Sequence, residues 1–167
     1  ITSNLKKREF NNQNIVYARK ETVQSIPNSS VFVPIAEQKD DINLFTEQEK
    51  ILWLTKKGLP GVVNWDFTLL IPKIGLNSKV FPNIDPSNKD EYLSVLKSGV
   101  AHAKFTAFPG QEGLSYIFGH STDFPWNIQQ YNALFYDIKD LKEGDEIIVL
   151  YNNKPYVYKT LYQKIID

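Results

Sequence analysis

The 167-residue sequence contains no cysteine and no methionine. Without cysteine it has no disulfide, no thiolate ligand for a metal ion and no thiol nucleophile of its own. It begins at Ile1, and a chain without methionine is not a primary translation product that has kept its initiator. We therefore expect a processed, engineered or fragmentary sequence, and the missing thiol constrains its function more than any other feature of the composition.

An excess of charge of either sign is also missing. Lysine plus arginine and aspartate plus glutamate both number 19, so the net charge is zero. This balance gives no general attraction to nucleic acid or to an anionic membrane. No apolar run approaches the ~18 residues needed to span a bilayer, and no signal-peptide core is visible. The length suits a single domain with a substantial core.

The N-terminal region is polar and has no sustained periodicity. Residues 1–41 contain no glycine, and we interpret them as a linker or wrapping arm. Within this arm Ile15–Tyr17 and Val31–Val33 could pair as short strands. The sequence thus predicts an arm over residues 1–58 and a folded domain over residues 59–167.

One helix is predicted inside the arm. Thr46 and Glu49 have the spacing of a capping box ahead of an apolar stripe, and Gly58 follows two lysines at the other end. The helix could act as a lid or as a partner for another helix. We favour the simpler interpretation, in which it packs against the end of the barrel.

Short apolar runs separated by turn residues predict most of the remaining chain to be β-structure. Pro82 marks an edge or a bulge in the second of these runs. A helix from about Asn88 to Ser98 is predicted to begin at a capping box formed by Ser87 and Asp90. The predicted strands are Phe67–Ile71, Leu76–Ile84, Val100–Phe105, Leu114–Phe118, Glu146–Tyr151 and Pro155–Ile166, the last two joined by a turn around Asn152, Asn153 and Lys154.

A single stretch, residues 108–122, concentrates the candidate chemistry. Pro109 and Gly110 are turn residues, a strand from Leu114 to Phe118 follows, and His120 comes at its end. Period-two alternation places Leu114, Phe118 and His120 on one face, so the imidazole leaves a buried face where the strand ends. A titratable ring beside a glycine fits a catalytic position, but a histidine that only binds nearby backbone groups fits the same pattern.

Four segments in register resemble the sortase family, the cysteine transpeptidases of bacterial surfaces. They are Phe67 to Gly75, Gly99 to His102, Pro109 to His120 and Leu141 to Ile147, and the resemblance covers roughly residues 66–167. It implies a mostly antiparallel β-barrel with one or more short helices. The two last strands of that barrel, which carry the family's cysteine and arginine, are missing from the sequence.

The resemblance implies roles for individual residues. His120 matches the catalytic histidine, which serves as acid for the leaving amine and then as base for the incoming one. His102 matches a position that is not catalytic, and we expect a structural role with hydrogen bonds across the sheet. Phe124, Trp126 and Tyr131 fall where sortases border their substrate groove, so they could line a peptide cleft, although aromatic residues more often fill cores.

Two departures from the family pattern indicate a divergent branch. Leu114 stands where the family often has asparagine, and Ser121 stands where it often has arginine. The only arginines, Arg8 and Arg19, lie far upstream of the family's arginine. These differences concern the subclass and the preferred signal more than the fold.

The function implied by the resemblance is cleavage of a C-terminal LPXTG-like sorting signal through a thioacyl intermediate. The acyl group then passes to an amine on the cell surface, from a peptidoglycan precursor or a pilin lysine. The expected partners are the sorting-signal peptide and that amine, with no cofactor, no metal and no nucleic acid. The expected location is the extracellular face of the bacterial membrane, held there by an upstream anchor.

Two other functions remain open at this point. The chain could be a non-catalytic sortase-like module that binds peptides or scaffolds a complex. It could also be an unrelated small β-barrel in which His120 is structural. The similarity of fold cannot choose between them, because sites rather than folds carry function.

Overall fold

The computed structural model describes residues 13–20, 45–59, 61, 64–121 and 134–166, with the side chains of 13–20 and 164–166 left undescribed. Seven strands form one sheet and two helices pack on it. The elements are β1 (Gln13–Lys20), α1 (Glu47–Lys57), β2 (Phe67–Ile71), β3 (Leu76–Ile84), α2 (Lys89–Leu96), β4 (Val100–Ala103), β5 (Ile117–Phe118), β6 (Glu146–Tyr151) and β7 (Lys154–Ile166).

The strand order is β1-β7-β6-β2-β3-β4-β5, and every pairing except β3 with β4 is antiparallel. The predicted mostly antiparallel β-fold is therefore confirmed. No pairing joins β1 to β5 within the described residues. The sheet is a curled half-barrel with these two strands at its edges.

The inner face of the sheet holds the main core. Alternate residues of β2, Phe67, Leu69 and Ile71, are all at most 5% exposed and meet apolar residues from the neighbouring strands. Burial of such side chains contributes about 1.5–3 kcal/mol each, so this layer dominates the stability of the fold. Its other buried members are Leu76, Val80, Val100, Phe135, Ile138, Leu141 and Val149.

Helix α1 covers the outer face of the sheet, not the end of the barrel as predicted. Its Trp53 packs on the cluster of Leu70, Ile148 and Leu150, which alternate with the inward residues of β2 and β6. The helix begins at Thr46 with the predicted capping box and ends at Gly58 in the left-handed conformation. Its position is explained by Trp53, the one large ring of the helix that can reach this apolar face.

Helix α2 is shorter than predicted. It spans Lys89–Leu96, and Asn88, not Ser87, caps it by accepting a hydrogen bond from the backbone N–H of Glu91. Asp85 instead accepts from the backbone N–H of Ser87 within the preceding turn. The proposed Ser87–Asp90 box was wrong by one residue, because asparagine caps as well as serine.

Strands β4 and β5 are also shorter than predicted. β4 ends at Ala103 because Phe105 adopts a left-handed φ of 67°, which turns the chain out of the sheet. β5 contains only Ile117 and Phe118, and Leu114 is 70% exposed, so its predicted burial was wrong. The hydrogen-bond ladder between β4 and β5 is interrupted at Tyr116. Its backbone N–H donates to the hydroxyl of Thr106 instead of to a backbone carbonyl of a neighbouring strand.

The C-terminal hairpin follows the prediction closely. β6 and β7 are joined by Asn152 and Asn153, whose φ values of 48° and 59° are those of a tight two-residue hairpin turn. Beyond the hairpin, β7 pairs with β1, so Ile15–Tyr17 pairs with this strand; its predicted partner, Val31–Val33, lies outside the described residues. The far edge of β7 is thus covered by the N-terminal strand.

The segment between β4 and β5 bridges the open side of the sheet. Phe108 stacks on Tyr151 of β6 with centroids 5.2 Å apart. At Gly110, where φ is 87°, an added Cβ would overlap the ring of Tyr156 on β7. This crossing ties the β4–β5 end of the sheet to the β6–β7 hairpin. No helix within the described ranges is long and apolar enough to cross a membrane.

Candidate active site

His120 lies two residues beyond β5, at the edge of the sheet. Ala101 of β4 pairs with Phe118, so His120 follows the last paired residue of the strand. Its side chain is only partly exposed, whereas His102 is fully buried. His102 is therefore the more enclosed of the two histidines, and the catalytic role of His120 stays a prediction.

Phe135 holds the backbone of His120 in place. The carbonyl oxygen of His120 accepts a hydrogen bond of 3.1 Å from the backbone N–H of Phe135. A Cβ added at Gly119 would lie 3.1 Å from Cγ1 of Val100 and 3.2 Å from Cδ2 of Phe135. Only glycine fits here without a shift of its neighbours, so the Gly119–His120 pair is seated directly against the core.

Sequence reasoning did not assign Phe135 this supporting role. It lies fifteen residues downstream of His120 in sequence. Phe135 belongs to a turn that is followed by a 3₁₀ helix over Tyr136–Asp140. No local sequence pattern indicates which aromatic side chain packs against a given glycine.

Burial lowers the pKa of His120 below its ordinary value of 6.5. Desolvation disfavours the charged imidazolium, so the neutral form of the ring is favoured. A neutral imidazole can accept a proton from a thiol or an amine, and the resulting imidazolium can return it to a leaving group.

His102 is built into the loop that follows β4. Its Nε2 lies 3.1 Å from the carbonyl oxygen of Ala107 and 3.1 Å from the hydroxyl of Thr106. The ring also stacks on Phe108, with centroids 4.4 Å apart and planes 21° from parallel. The predicted structural role is supported, but these hydrogen bonds go to the adjacent loop and not across the sheet as expected.

The environment of His102 makes its neutral form the preferred one. Desolvation is the largest effect and lowers its pKa, and the hydrogen bond to Ala107 opposes this only in part. The carbonyl of Ala107 makes Nε2 the protonated nitrogen, and Nδ1 is buried with no partner in the described part of the chain. A second proton on Nδ1 would therefore be a buried, unsatisfied donor.

We expect the protein to be less stable at about pH 5 than at about pH 7.5. The folded-state pKa of His102 lies below the unfolded value of about 6.5, so the unfolded chain binds more protons between the two. Stability therefore rises with pH across this window and is lost as the pH falls below about 6.5. Thermal unfolding at both pH values measures the effect.

The matched variants for this measurement are His102→Gln and His120→Gln. Glutamine at 102 keeps a donor for Ala107 and cannot become charged, so the part of the pH difference that comes from His102 should vanish there. The pKa of His120 is lowered too, and His120→Gln should remove the part that comes from that ring. The carboxylates of Glu49 and Glu146 also have lowered pKa values. Their contribution to the stability of the fold is lost only at a pH below the two values compared, so it does not affect this measurement. A His102→Gln protein with the full pH difference would contradict the assignment.

The other predicted site residues cannot be placed beside His120. Phe124, Trp126 and Tyr131 lie outside the described residues. Within the described ranges, no group of three or more histidine, aspartate or glutamate side chains could hold a metal ion.

A family model described as Sortase domain matches residues 69–167, which is more than half of the chain. The chain belongs to the sortase family. The match ends with the sequence and includes His120, the half-barrel strands β3 to β7 and most of β2. A search of curated proteins gave no match.

Several solved structures are similar to the chain. A sortase D5 transpeptidase of Clostridium perfringens is 27% identical, with a TM-score of 0.46 and coverage of 71% of this chain and 64% of that one. A sortase C of the same species, solved with the C-terminal cell wall sorting motif, is 24% identical, with a TM-score of 0.43 and coverage of 55% and 44%. Sortase C-1 of Actinomyces oris is 20% identical, with a TM-score of 0.42 and coverage of 71% and 58%. The chain thus spans less than two thirds of the length of these relatives.

Proposed function

We propose that this chain is the histidine-bearing part of a transpeptidase that cleaves a C-terminal LPXTG-like sorting signal and transfers the acyl fragment to a surface amine. Membership of the sortase family supports the reaction class. The observation that carries the proposal is the position of His120, partly exposed and directly beyond β5, with its backbone held by Phe135. The backbone is held in place, and the partly exposed ring can meet a substrate.

In the proposed reaction His120 moves protons while a cysteine outside these 167 residues forms the covalent bond. The thiol gives its proton to His120, and the thiolate attacks the carbonyl carbon of the threonine. The C–N bond breaks, the imidazolium protonates the leaving glycine amine, and a thioester remains. An incoming amine then attacks the thioester, His120 takes its proton, and the thiolate leaves.

The outer edge of β5 supports this arrangement. Ile117 and Phe118 pair with β4 on one side and with no described strand on the other. An unpaired edge offers backbone N–H and C=O groups that accept a further strand. We propose that a cysteine-bearing strand binds here, beside His120, and that an arginine on the next strand stabilises the oxyanion.

The substrate-binding residues and the cellular setting are part of the same proposal. Phe124, Trp126 and Tyr131 line the cleft for the sorting-signal peptide, and the acceptor is an amine of a peptidoglycan precursor or a pilin lysine. The protein acts at the extracellular face of the bacterial membrane, where an upstream segment anchors it. Family membership is the support for each of these statements.

The competing proposal is a non-catalytic module that binds the peptide without cleaving it. It is favoured by one specific observation, the absence of any cysteine in the sequence. Both proposals predict binding of the peptide, so binding tests the site and turnover separates the two.

We expect an LPXTG-type peptide to shift the imidazole signals of His120 in an NMR titration and to leave those of His102 unchanged. The sequence has only two histidines, and His120→Gln assigns their signals. Trp126→Ala should weaken binding about tenfold, the effect of losing an aromatic anchor. Phe105→Ala, at an 89% exposed ring in the β4–β5 loop, is the matched control. A shift of His120 by a scrambled peptide of equal size would contradict the proposed cleft.

A further inference from the structure

The segment that carries His120 is anchored to the sheet at both of its ends. Between the ends it contains β5, whose two residues, Ile117 and Phe118, pair with β4 on one side and with no described strand on the other. At the far end the carbonyl of His120 accepts a hydrogen bond from the backbone N–H of Phe135. The position of His120 therefore also depends on what fixes the near end, at Tyr116.

Tyr116 is bound through both of its backbone polar groups. Its carbonyl oxygen accepts a hydrogen bond of 2.8 Å from the backbone N–H of Ala103, the last residue of β4. Its backbone N–H donates over 3.3 Å to the hydroxyl oxygen of Thr106. In a regular antiparallel ladder a backbone carbonyl would accept this bond. Here a side chain supplies the acceptor, so one threonine holds this end of the segment.

The hydroxyl of Thr106 has all of its hydrogen-bonding positions in use. A hydroxyl group offers one donor and two acceptor positions. It donates to the carbonyl oxygen of Ala103 over 2.8 Å and accepts from the backbone N–H of Tyr116. It also lies 3.1 Å from Nε2 of His102, the protonated nitrogen of that ring. These three contacts fix the orientation of the hydroxyl toward Tyr116.

The backbone turns at Phe105 to bring Thr106 into this position. Phe105 has a φ of 67°, a conformation that bulky side chains rarely adopt. Its ring is 89% exposed, so packing of the ring contributes little in compensation. Directly after the turn, the backbone N–H of Thr106 donates over 3.3 Å to the carbonyl oxygen of Ala103. Strain of this kind is often found next to functional sites, where the surrounding structure enforces it.

We propose that Thr106 is a positioning residue for the transfer reaction. It holds Tyr116, four residues before His120, and so sets where the strand presents the imidazole to the reacting groups. Thr106 moves no proton itself and acts only through the backbone of β5. Displacement of an acid–base group by a fraction of an ångström is enough to slow a reaction. The inference rests on the proposed function of His120.

The first test is an NMR titration of the imidazoles in the 167-residue chain, which does not depend on turnover. Thr106→Val keeps the shape of the side chain and leaves the backbone N–H of Tyr116 without its acceptor. A less firmly held His120 ring spends more time in water, so its pKa should rise toward 6.5. Thr106→Ser keeps the hydroxyl and should keep the pKa of the unsubstituted protein. A folded Thr106→Val protein with an unchanged His120 pKa would overturn the proposal.

The matched control is Thr160→Val on β7. Thr160 is 1% exposed, its hydroxyl donates to the carbonyl of Asp145 over 3.1 Å, and four strands separate β7 from β5 in the sheet. This variant loses a buried hydroxyl and should leave the pKa of His120 unchanged. An equal shift of the His120 pKa in both valine variants would indicate general loosening of the fold and would contradict a positioning role.

Amide hydrogen exchange of the unsubstituted protein gives a test that needs no variant to fold. The amide of Tyr116 should exchange at least about tenfold more slowly than in an unstructured chain, because the hydroxyl of Thr106 binds it. Exchange at the unstructured rate would show that the anchor does not exist.

Turnover of a version extended by strands that carry a cysteine and an arginine tests the consequence for the reaction. Thr106→Val should lower kcat about tenfold and leave KM within about twofold, and Thr106→Ser should retain most of the rate. Full kcat in Thr106→Val, when His120→Ala is inactive, would overturn this inference and leave the proposed function standing. Turnover that survives His120→Ala would overturn both.

Discussion

The 167-residue chain is expected to leave an LPXTG-type peptide intact. The transfer reaction needs a covalent nucleophile, and the sequence supplies no cysteine. Ser121 adjoins His120 in sequence, but the pair does not form a recognised serine–histidine nucleophile motif. A serine without an activating base is a weak nucleophile at neutral pH.

The measurement is incubation of the peptide with the chain and an amine acceptor, followed by mass spectrometry. No hydrolysed or transferred product should form. A version extended by two strands, the first carrying a cysteine and the second an arginine, should produce the transferred peptide. Turnover by the 167-residue chain itself would show that the nucleophile is not the family's cysteine.

His120→Ala in the extended version tests the acid–base role directly. Loss of a general acid–base group lowers kcat by about 10²–10⁴-fold. His102→Gln is the control, because that ring is buried against Phe108 and has no role in the proposed reaction. Equal loss in both variants would indicate that His120 supports the structure only.

The largest expected effect on stability comes from Gly99→Ala. A Cβ at this position would overlap the carbonyl oxygen of Lys79 and lie 3.1 Å from Cε2 of Phe81. The obstructing oxygen belongs to the backbone of β3, which pairs with β4 one residue further on, at Val80 and Val100. The two strands would have to separate, and we expect a loss of about 3 kcal/mol in the free energy of unfolding.

Urea denaturation measures this loss, and Gly144→Ala is its control. At Gly144 φ is 87° and a Cβ would meet nothing within 4 Å, so only backbone strain of about 1 kcal/mol applies. The two variants thus separate a steric clash in the sheet from the conformational preference of glycine. A Gly99→Ala protein as stable as Gly144→Ala would mean that β3 and β4 are less closely held than the structure shows.

Where predictions from sequence succeeded, the signal was local. Thr46 and Glu49 specify the start of α1 through hydrogen bonds that span three residues. Asn152 and Asn153 specify the hairpin turn because asparagine tolerates a left-handed φ. β2 and β3 have their predicted bounds because Gly75 breaks the chain between two β-rich runs.

The failures concern residues whose surroundings are distant in sequence. Leu114 belongs to an apolar run, yet it is 70% exposed because the hydroxyl of Thr106 interrupts the ladder two residues later. Trp53 packs α1 against the outer face of β2 and β6. The sequence of the helix does not indicate which surface this ring contacts. Periodicity predicts that a residue is buried, but it does not predict which other residues cover it.

For the candidate site the same division holds. The sequence by itself determined that the chain has no thiol and that His120 follows a strand and a glycine. Only the tertiary structure placed Phe135 against Gly119 and stacked His102 on Phe108. Hydrogen bonds within a turn or helix end are encoded by residues a few positions apart, whereas these contacts depend on how the whole sheet curls.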